Sequence, residues 1–125
     1  MQLVSKQFGE LRFSAMGLIM KKVEFVVVTV YLWHTEGFTE RNNAILFSVQ
    51  YFMKLIKLPV IIVGDFNITY ETFENSDWCR RLGVVMRHPG VNSTTLLSNN
   101  RVIDFVLHSQ ILDELILDVL SLIHI

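Results

Sequence analysis

An aspartate and an asparagine, separated by one residue, follow directly after an apolar stretch of the chain. Asp65 and Asn67 come after a glycine that ends the run Val60–Val63. Such a run predicts a buried strand, and the loop that leaves a strand can hold polar groups at a fixed spacing. Asp65 can bind a divalent cation or accept a proton, and Asn67 can donate a hydrogen bond to an oxyanion. This pair is therefore the first candidate for a chemical site.

The same residues also fit a purely structural role. Gly-Asp-x-Asn is a short motif, and aspartate and asparagine side chains often bond to the backbone of a turn. In that interpretation Asp65 and Asn67 only stabilise the loop after the strand. The motif alone leaves both interpretations open, so the surrounding elements have to decide between them.

Two strands and one helix are predicted around this pair. Residues Val23 to Trp33 are almost continuously apolar and rich in β-branched and aromatic types, which predicts a strand covered on both faces. From Thr39 to Lys57 the apolar residues recur with a helical period, and Leu58-Pro59 ends the pattern. Strand, helix and strand with short connections predict a crossover unit, with the helix on one face of a sheet.

The remaining elements are predicted to be short. They are strands around Leu11–Phe13 and Gly17–Met20, a helix over Ser76–Leu82, strands over Val84–Met86 and Val102–Leu107, and a helix over Gln110–Leu115. Residues 116–125 are strongly apolar, and their periodicity does not decide between strand and helix.

Composition narrows the class of protein. The chain has 125 residues, which allows one domain at most, and 51% of them are hydrophobic, which excludes a disordered tail. The longest apolar run, Phe25–Trp33, is too short to span a bilayer, so no membrane segment is expected. The single cysteine, Cys79, indicates a reducing compartment and predicts an intracellular protein of the nucleus or cytoplasm. A net charge of −1 means that any attraction to nucleic acid has to be local.

Three stretches of the chain together carry a family resemblance. They are Val-Thr-Val-Tyr-Leu-Trp at 28–33, Leu-Pro-Val-Ile-Ile-Val-Gly-Asp-Phe-Asn at 58–67 and Arg-Val-Ile-Asp-Phe-Val-Leu-His-Ser at 101–109. In this order they resemble the endonuclease/exonuclease/phosphatase superfamily, which includes DNase I and the endonuclease domains of non-LTR retrotransposons. The resemblance is strongest over residues 23–113 and looks most like the retroelement type. It implies an α+β fold, the DNase I-like four-layer α/β/β/α sandwich, of which residues 1–125 would form a partial domain, the C-terminal part.

The resemblance also implies roles for four residues. Asp65 matches the aspartate that orients or deprotonates the attacking water, and Asn67 matches the asparagine that hydrogen-bonds a phosphate oxygen. Tyr31 matches a tyrosine that contacts the phosphate or the leaving oxygen, and Asp104 matches the aspartate that holds a catalytic histidine in one tautomer. Members of the family hydrolyse phosphodiester bonds with Mg²⁺ or Mn²⁺. The resemblance therefore implies such an ion, with Asp65 as a ligand, and DNA as the substrate.

Several parts of the family pattern are missing from the chain. Nothing matches the metal-binding glutamate that follows an early strand in the family, and His124 lacks the preceding aspartate of the family's Ser-Asp-His motif. We therefore expect weak or no activity from the chain alone. The alternatives are a catalytically dead remnant that binds a partner, or a related phosphoesterase acting on a small or lipid phosphate. Because a partial domain would expose an apolar sheet face, self-association through that face is a further expectation.

Other polar residues are secondary candidates. His34, three residues after Tyr31, either faces the same cleft or is an ordinary surface histidine. Arg80, Arg81 and Arg101 could contact phosphates, although a solvated surface is the usual place for arginine side chains.

Overall fold

The computed structural model describes residues 12–87 and 105–116, and within these ranges it contains one five-stranded sheet and three α-helices. The elements are β1 Phe13–Met20, β2 Val23–Tyr31, α1 Glu40–Ile56, β3 Val60–Asp65, α2 Tyr70–Glu74, α3 Trp78–Leu82, β4 Val85–Arg87, β5 Val106–His108 and a 3₁₀ turn at Gln110–Leu112. The strands lie in the order β1-β2-β3-β5-β4. β2 and β3 are parallel, and the other neighbouring pairs in this sheet are antiparallel.

Strands β1 and β2 form a hairpin with a two-residue turn. Lys21 and Lys22 have φ of 51° and 66°, and positive φ at both central positions is typical of a type I′ turn. β1 is one continuous strand, because the small residues in its middle still alternate between the buried and the exposed side. The prediction of two short strands, around Leu11–Phe13 and Gly17–Met20, is therefore wrong.

The predicted crossover unit is confirmed. β2 and β3 are parallel neighbours, and α1 connects them and packs its apolar stripe against one face of the sheet. The helix ends at Ile56, and the next residue, Lys57, has a left-handed backbone conformation and donates its N–H to the Met53 carbonyl oxygen. Because β2 and β3 are parallel neighbours, their carboxyl ends lie at the same edge of the sheet.

The segment after β3 contains a helix that the sequence does not predict. Phe73 of α2 is fully buried, and its ring packs edge-on to Phe66 and tilted against Phe38, with centroids 5.6 and 5.7 Å apart. This short helix is therefore stabilised by ring contacts with other parts of the chain. α3 and β4 confirm the helix and the strand that are predicted after residue 75, with ends shifted by one or two residues.

The C-terminal predictions are only partly covered by the described residues. Val106 and Leu107 confirm the end of the strand predicted over Val102–Leu107, whereas residues 102–104 lie outside the described ranges. A 3₁₀ turn of three residues replaces the helix predicted over Gln110–Leu115. His124 and residues 117–125 also lie outside the described ranges.

The sheet carries a separate apolar core on each face. The larger core lies between the sheet and the helices α1, α2 and α3. The smaller core lies on the opposite face, where Phe25 and Ile61 pack with Leu112, Leu115 and Ile116. Both faces of β2 therefore contribute to a core, as the continuous apolar run predicts.

Among residues 12–87 and 105–116, those that cover the second face of the sheet pack at one end of it. Met16 of β1 pairs in register with Val27 of β2 on this face, and its side chain is 50% exposed. Tyr31, at the end of β2 on the same face, is 51% exposed. The described residues thus supply one helical layer and one sheet of the predicted four-layer sandwich. Within the described ranges, no helix is long and apolar enough to cross a membrane.

Candidate active site

Two of the predicted site residues lie side by side at the carboxyl ends of the parallel strands. Tyr31 is the last residue of β2, Asp65 is the last residue of β3, and the two are paired in the sheet register. Paired side chains project from the same face of a sheet, and neighbouring strands lie about 4.8 Å apart. Tyr31 is half exposed and Asp65 is partly buried. The phenol and the carboxylate therefore share one edge of the less covered face.

Gly64 lets β3 approach β2 closely just before Asp65. Its φ is +132°, and a Cβ atom at this position would come within 2.1 Å of the Val30 carbonyl oxygen. Only glycine enters this backbone region without strain and also lacks the atom that would clash. The glycine of the Gly-Asp-x-Asn motif thus allows the close strand approach that positions the following aspartate, Asp65.

One carboxylate oxygen of Asp65 is buried and makes no hydrogen bond. Within the described ranges, Oδ1 of Asp65 and Nε of Arg87 are the buried side-chain polar atoms that lack a partner. A carboxylate oxygen that loses water without gaining a bond costs free energy, so a ligand at this position would offset that cost. A purely structural role, in which the side chain ties the turn to the backbone, does not account for this oxygen.

Asn67 connects the loop after β3 to the loop after β2. Its backbone has φ of 51°, and its amide nitrogen donates to the Leu32 carbonyl oxygen at 2.8 Å. This bond fixes the orientation of the amide, so its oxygen points to Nδ1 of His34 at 3.2 Å. The amide nitrogen carries two hydrogens, and the second remains available to another acceptor.

His34 contacts the candidate site through a hydrogen bond with Asn67. Because an amide oxygen can only accept, Nδ1 of His34 must be the donor in this contact. The other ring nitrogen, Nε2, therefore accepts in the neutral ring and donates in the protonated ring. His34 is exposed, as the interpretation of a surface histidine expects, and it also contacts Asn67 of the candidate site.

The loop that carries His34 is anchored by a buried side chain of α1. Asn42 is fully buried; its oxygen accepts from the Trp33 N–H at 2.6 Å, and its nitrogen donates to the carbonyl oxygens of Trp33 at 3.1 Å and Gly37 at 2.7 Å. Three hydrogen bonds from one amide satisfy loop backbone groups that would otherwise be unpaired. The sequence analysis did not identify Asn42. The one sign of its burial in the sequence is that it precedes the apolar residues Ile45 and Leu46 by one helical turn and so lies on the same face of α1.

Two guanidinium groups lie over the indole ring of Trp33, which belongs to this loop. Arg12 is 4.0 Å and Arg41 is 3.6 Å from the centre of the Trp33 ring. Arg41 also forms an ion pair with Glu36, and this hydrogen bond lowers the pKa of the Glu36 carboxyl below its usual value. Sequence reasoning missed this cluster as well, because its members come from three separate segments of the chain.

The carboxylate of Asp65 is the candidate ligand for a divalent cation. Mg²⁺ and Mn²⁺ take oxygen ligands, and the unpartnered Oδ1 of Asp65 is an oxygen of that kind. No group of three or more acidic, histidine or cysteine side chains comes together within residues 12–87 and 105–116. Asp65 thus fits as one ligand of such an ion.

Three of the four predicted site residues are brought together. Tyr31, Asp65 and Asn67 meet at the carboxyl ends of β2 and β3, and His34 joins them. Asp104 lies outside the described residues, so its role stays a prediction.

Solved structures share this architecture at low sequence identity. The endonuclease domain of TRAS1, a telomere-specific non-LTR retrotransposon, matches with a TM-score of 0.62 and 13% identity, over 83% of this chain and 53% of that one. The human Nocturnin catalytic domain with bound sulfate matches with a TM-score of 0.54 and 20% identity, over 78% and 41%. An endonuclease/exonuclease/phosphatase family protein from Bacteroides thetaiotaomicron matches with a TM-score of 0.52 and 21% identity, over 78% and 41%.

Neither a protein-family model nor a curated protein sequence matches the chain. The chain spans between 41% and 53% of the length of the three solved structures. At these identities the likeness establishes the fold, which is the one that the sequence motifs imply. The chain has part of the DNase I-like fold of the endonuclease/exonuclease/phosphatase proteins.

Proposed function

We propose that the chain is part of a divalent-metal-dependent phosphodiesterase whose substrate is DNA, an endonuclease of the retroelement type. The observation that carries the proposal is the unpartnered, buried oxygen of Asp65, which lies beside Tyr31 and Asn67. The structural likeness to a retrotransposon endonuclease domain supports DNA as the substrate.

The proposed reaction is the attack of water on phosphorus. A bond forms between the water oxygen and phosphorus, the bond between phosphorus and the leaving oxygen breaks, and the water proton moves to the carboxylate of Asp65. The leaving oxygen takes up a proton from the solvent and becomes the hydroxyl of the released strand end. The second amide hydrogen of Asn67 would bind a non-bridging phosphate oxygen. The hydroxyl of Tyr31 would donate to the phosphate or to the leaving oxygen.

Asp65 would also hold Mg²⁺ or Mn²⁺ through Oδ1, and the ion would supply positive charge opposite the oxygens that become more negative. Asp104 is proposed to hold a histidine in one tautomer, as the resemblance implies. The contact between Nδ1 of His34 and the amide oxygen of Asn67 supports a further role for His34, which would hold the Asn67 amide in place.

The chain alone is expected to be a weak enzyme. Each general acid or base contributes about 10²- to 10⁴-fold to the rate, and the described residues contain no group of three or more side chains that could hold the ion together. A single oxygen ligand holds a hard cation loosely. Turnover should therefore be slow and should need a high concentration of the metal.

Nicking of supercoiled plasmid by the purified chain tests the proposal. The reaction is run with Mg²⁺, with Mn²⁺ and with EDTA, beside the variants Asp65→Asn and Glu24→Gln. Asp65→Asn keeps the shape of the side chain and removes its charge. Glu24→Gln removes one exposed carboxylate at the opposite end of β2, so it is the matched control.

We expect nicking that needs the metal, is lost in Asp65→Asn and is kept in Glu24→Gln. Equal nicking by wild type and Asp65→Asn would refute the assignment of Asp65. No nicking by a chain that is folded by circular dichroism would instead favour the catalytically dead remnant. Hydrolysis of a small phosphodiester or a phospholipid, with no nicking of plasmid, would favour the alternative phosphoesterase.

A further inference from the structure

A cationic cluster borders the candidate site, and the proposed chemistry does not use it. It consists of Arg12, Trp33 and Arg41, with both guanidinium groups over the indole ring. A guanidinium within about 6 Å of an aromatic centroid is attracted to the negative face of the ring. We call this group the Arg12–Trp33–Arg41 cluster.

The two arginines of the cluster are held differently. Arg41 lies against Glu36 as an ion pair, which offsets its charge locally. Arg12 donates from Nε to the Tyr31 carbonyl oxygen at 3.1 Å, its charge helps to lower the pKa of the Glu36 carboxyl, and its terminal nitrogens make no hydrogen bond within the described ranges. Arg12 is thus fixed in place and keeps hydrogen-bond donors for an added ligand.

Arg12 continues the row of site residues across the sheet. Its carbonyl oxygen accepts from the Tyr31 N–H at 2.8 Å, which extends the β1–β2 pairing by one residue, and Tyr31 in turn pairs with Asp65. With strands about 4.8 Å apart, the Cα of Arg12 lies about 10 Å from that of Asp65. A ligand that reaches both residues must carry two separated anionic groups or one anionic group and a long extension.

We propose that Arg12, whose guanidinium lies over the Trp33 ring, binds the phosphate of the DNA strand next to the one that is cleaved at Asp65. This inference rests on the proposed function and adds a residue that binds its substrate. Guanidinium groups suit phosphate because two parallel N–H donors match two phosphate oxygens. The net charge of −1 gives no overall attraction, so a local cation has to supply it. A small phosphomonoester has no second phosphate for this residue.

Equilibrium binding of a fluorescent oligonucleotide in EDTA tests the inference without any need for cleavage. Wild type is compared with Arg12→Gln and with Lys54→Gln, which removes one exposed positive charge near the end of α1 that is remote from the site. Binding is measured over a series of salt concentrations, and circular dichroism checks that each variant is folded. Arg12→Lys, which keeps the charge without the planar group, is the second variant.

Arg12→Gln should weaken binding about tenfold or more at low salt and lower the salt slope by about 1. Lys54→Gln should keep both values, and Arg12→Lys should lie between wild type and Arg12→Gln. Absence of oligonucleotide binding by the folded wild type overturns the inference. An equal loss in Arg12→Gln and Lys54→Gln overturns it as well.

The outcome is separable from that of the proposed function. Arg12-dependent binding without Asp65-dependent nicking would support the phosphate contact and refute the cleavage. Nicking that depends on Asp65, together with an oligonucleotide affinity that is unchanged in Arg12→Gln, would support the cleavage and refute the phosphate contact.

Discussion

Gly64 and Val30 lie so close that a single added atom would force the two strands apart. A Cβ atom on Gly64 would come within 2.1 Å of the Val30 carbonyl oxygen and 2.8 Å of its nitrogen. The neighbours of these two residues, Asp65 and Tyr31, are the paired residues of the candidate site. The close approach of the backbones therefore fixes the distance between the carboxylate and the phenol.

Gly64→Ala is expected to destabilise the protein by more than about 3 kcal/mol, because it adds a backbone clash to an unfavourable φ. Gly83→Ala is the matched control: φ there is +69°, and no atom lies within 4 Å of the added Cβ. The control should cost about 1 kcal/mol. Urea unfolding measures both, and similar losses for the two variants would contradict the close approach.

Asn42→Leu should destabilise the protein by about 2–4 kcal/mol. The change leaves the N–H and carbonyl of Trp33 and the carbonyl of Gly37 without their partner. The emission of Trp33 should also shift, because its loop loses its anchor. Ser48→Ala on the same helix, which removes one exposed hydrogen bond, is the control and should change neither quantity by much. An unshifted emission in Asn42→Leu would argue against the anchoring role.

The thiol of Cys79 should be unreactive in the folded protein. Burial raises its pKa from 9.0 to about 11, so little thiolate is present at neutral pH. Reaction with a disulfide reagent should therefore be slow, should speed up as pH rises toward 11, and should be fast in urea. Since the thiol ionises at lower pH in the unfolded chain, stability should fall as pH rises from 9 to 11. Cys79→Ser should lack this fall, and fast labelling of folded protein at neutral pH would contradict the burial.

Self-association is expected through the sheet face that carries Met16. This residue is 50% exposed and pairs with Val27, which is only partly buried. Met16→Glu should lower the apparent mass at high protein concentration, because a buried charge would oppose the contact. Ile111→Glu, at a more exposed apolar side chain on the 3₁₀ turn, should not. Light scattering over a concentration series measures this, and a monomer at all concentrations would refute it.

The sequence predicts those parts of the fold that depend on local periodicity. The apolar spacing over residues 39–57 and the run Val60–Val63 give α1 and β3 nearly in full. The turn at Lys21 and Lys22 was not predictable from its residue types, because positive φ favours asparagine and glycine there. α2 was missed because ring contacts of Phe73 with distant residues stabilise it.

In the candidate site, too, local motifs identify some residues, whereas other contacts depend on how distant parts of the chain pack. Tyr31, Asp65 and Asn67 were identified from motifs at the ends of two predicted strands, and the strand pairing brings the first two together. The contact between His34 and Asn67 joins residues 33 positions apart, and no local pattern could show it. The contacts of Asn42 and of Arg12 likewise depend on how separate elements pack.

A divalent cation is proposed to bind at the unpartnered oxygen of Asp65, and Mn²⁺ titration followed by NMR tests this most directly. Paramagnetic broadening detects loose binding and requires no turnover. Amide signals of Tyr31 and Phe66 should broaden before others, with this effect lost in Asp65→Asn and kept in Glu24→Gln. Broadening that starts elsewhere, or that is unchanged in Asp65→Asn, would contradict the account.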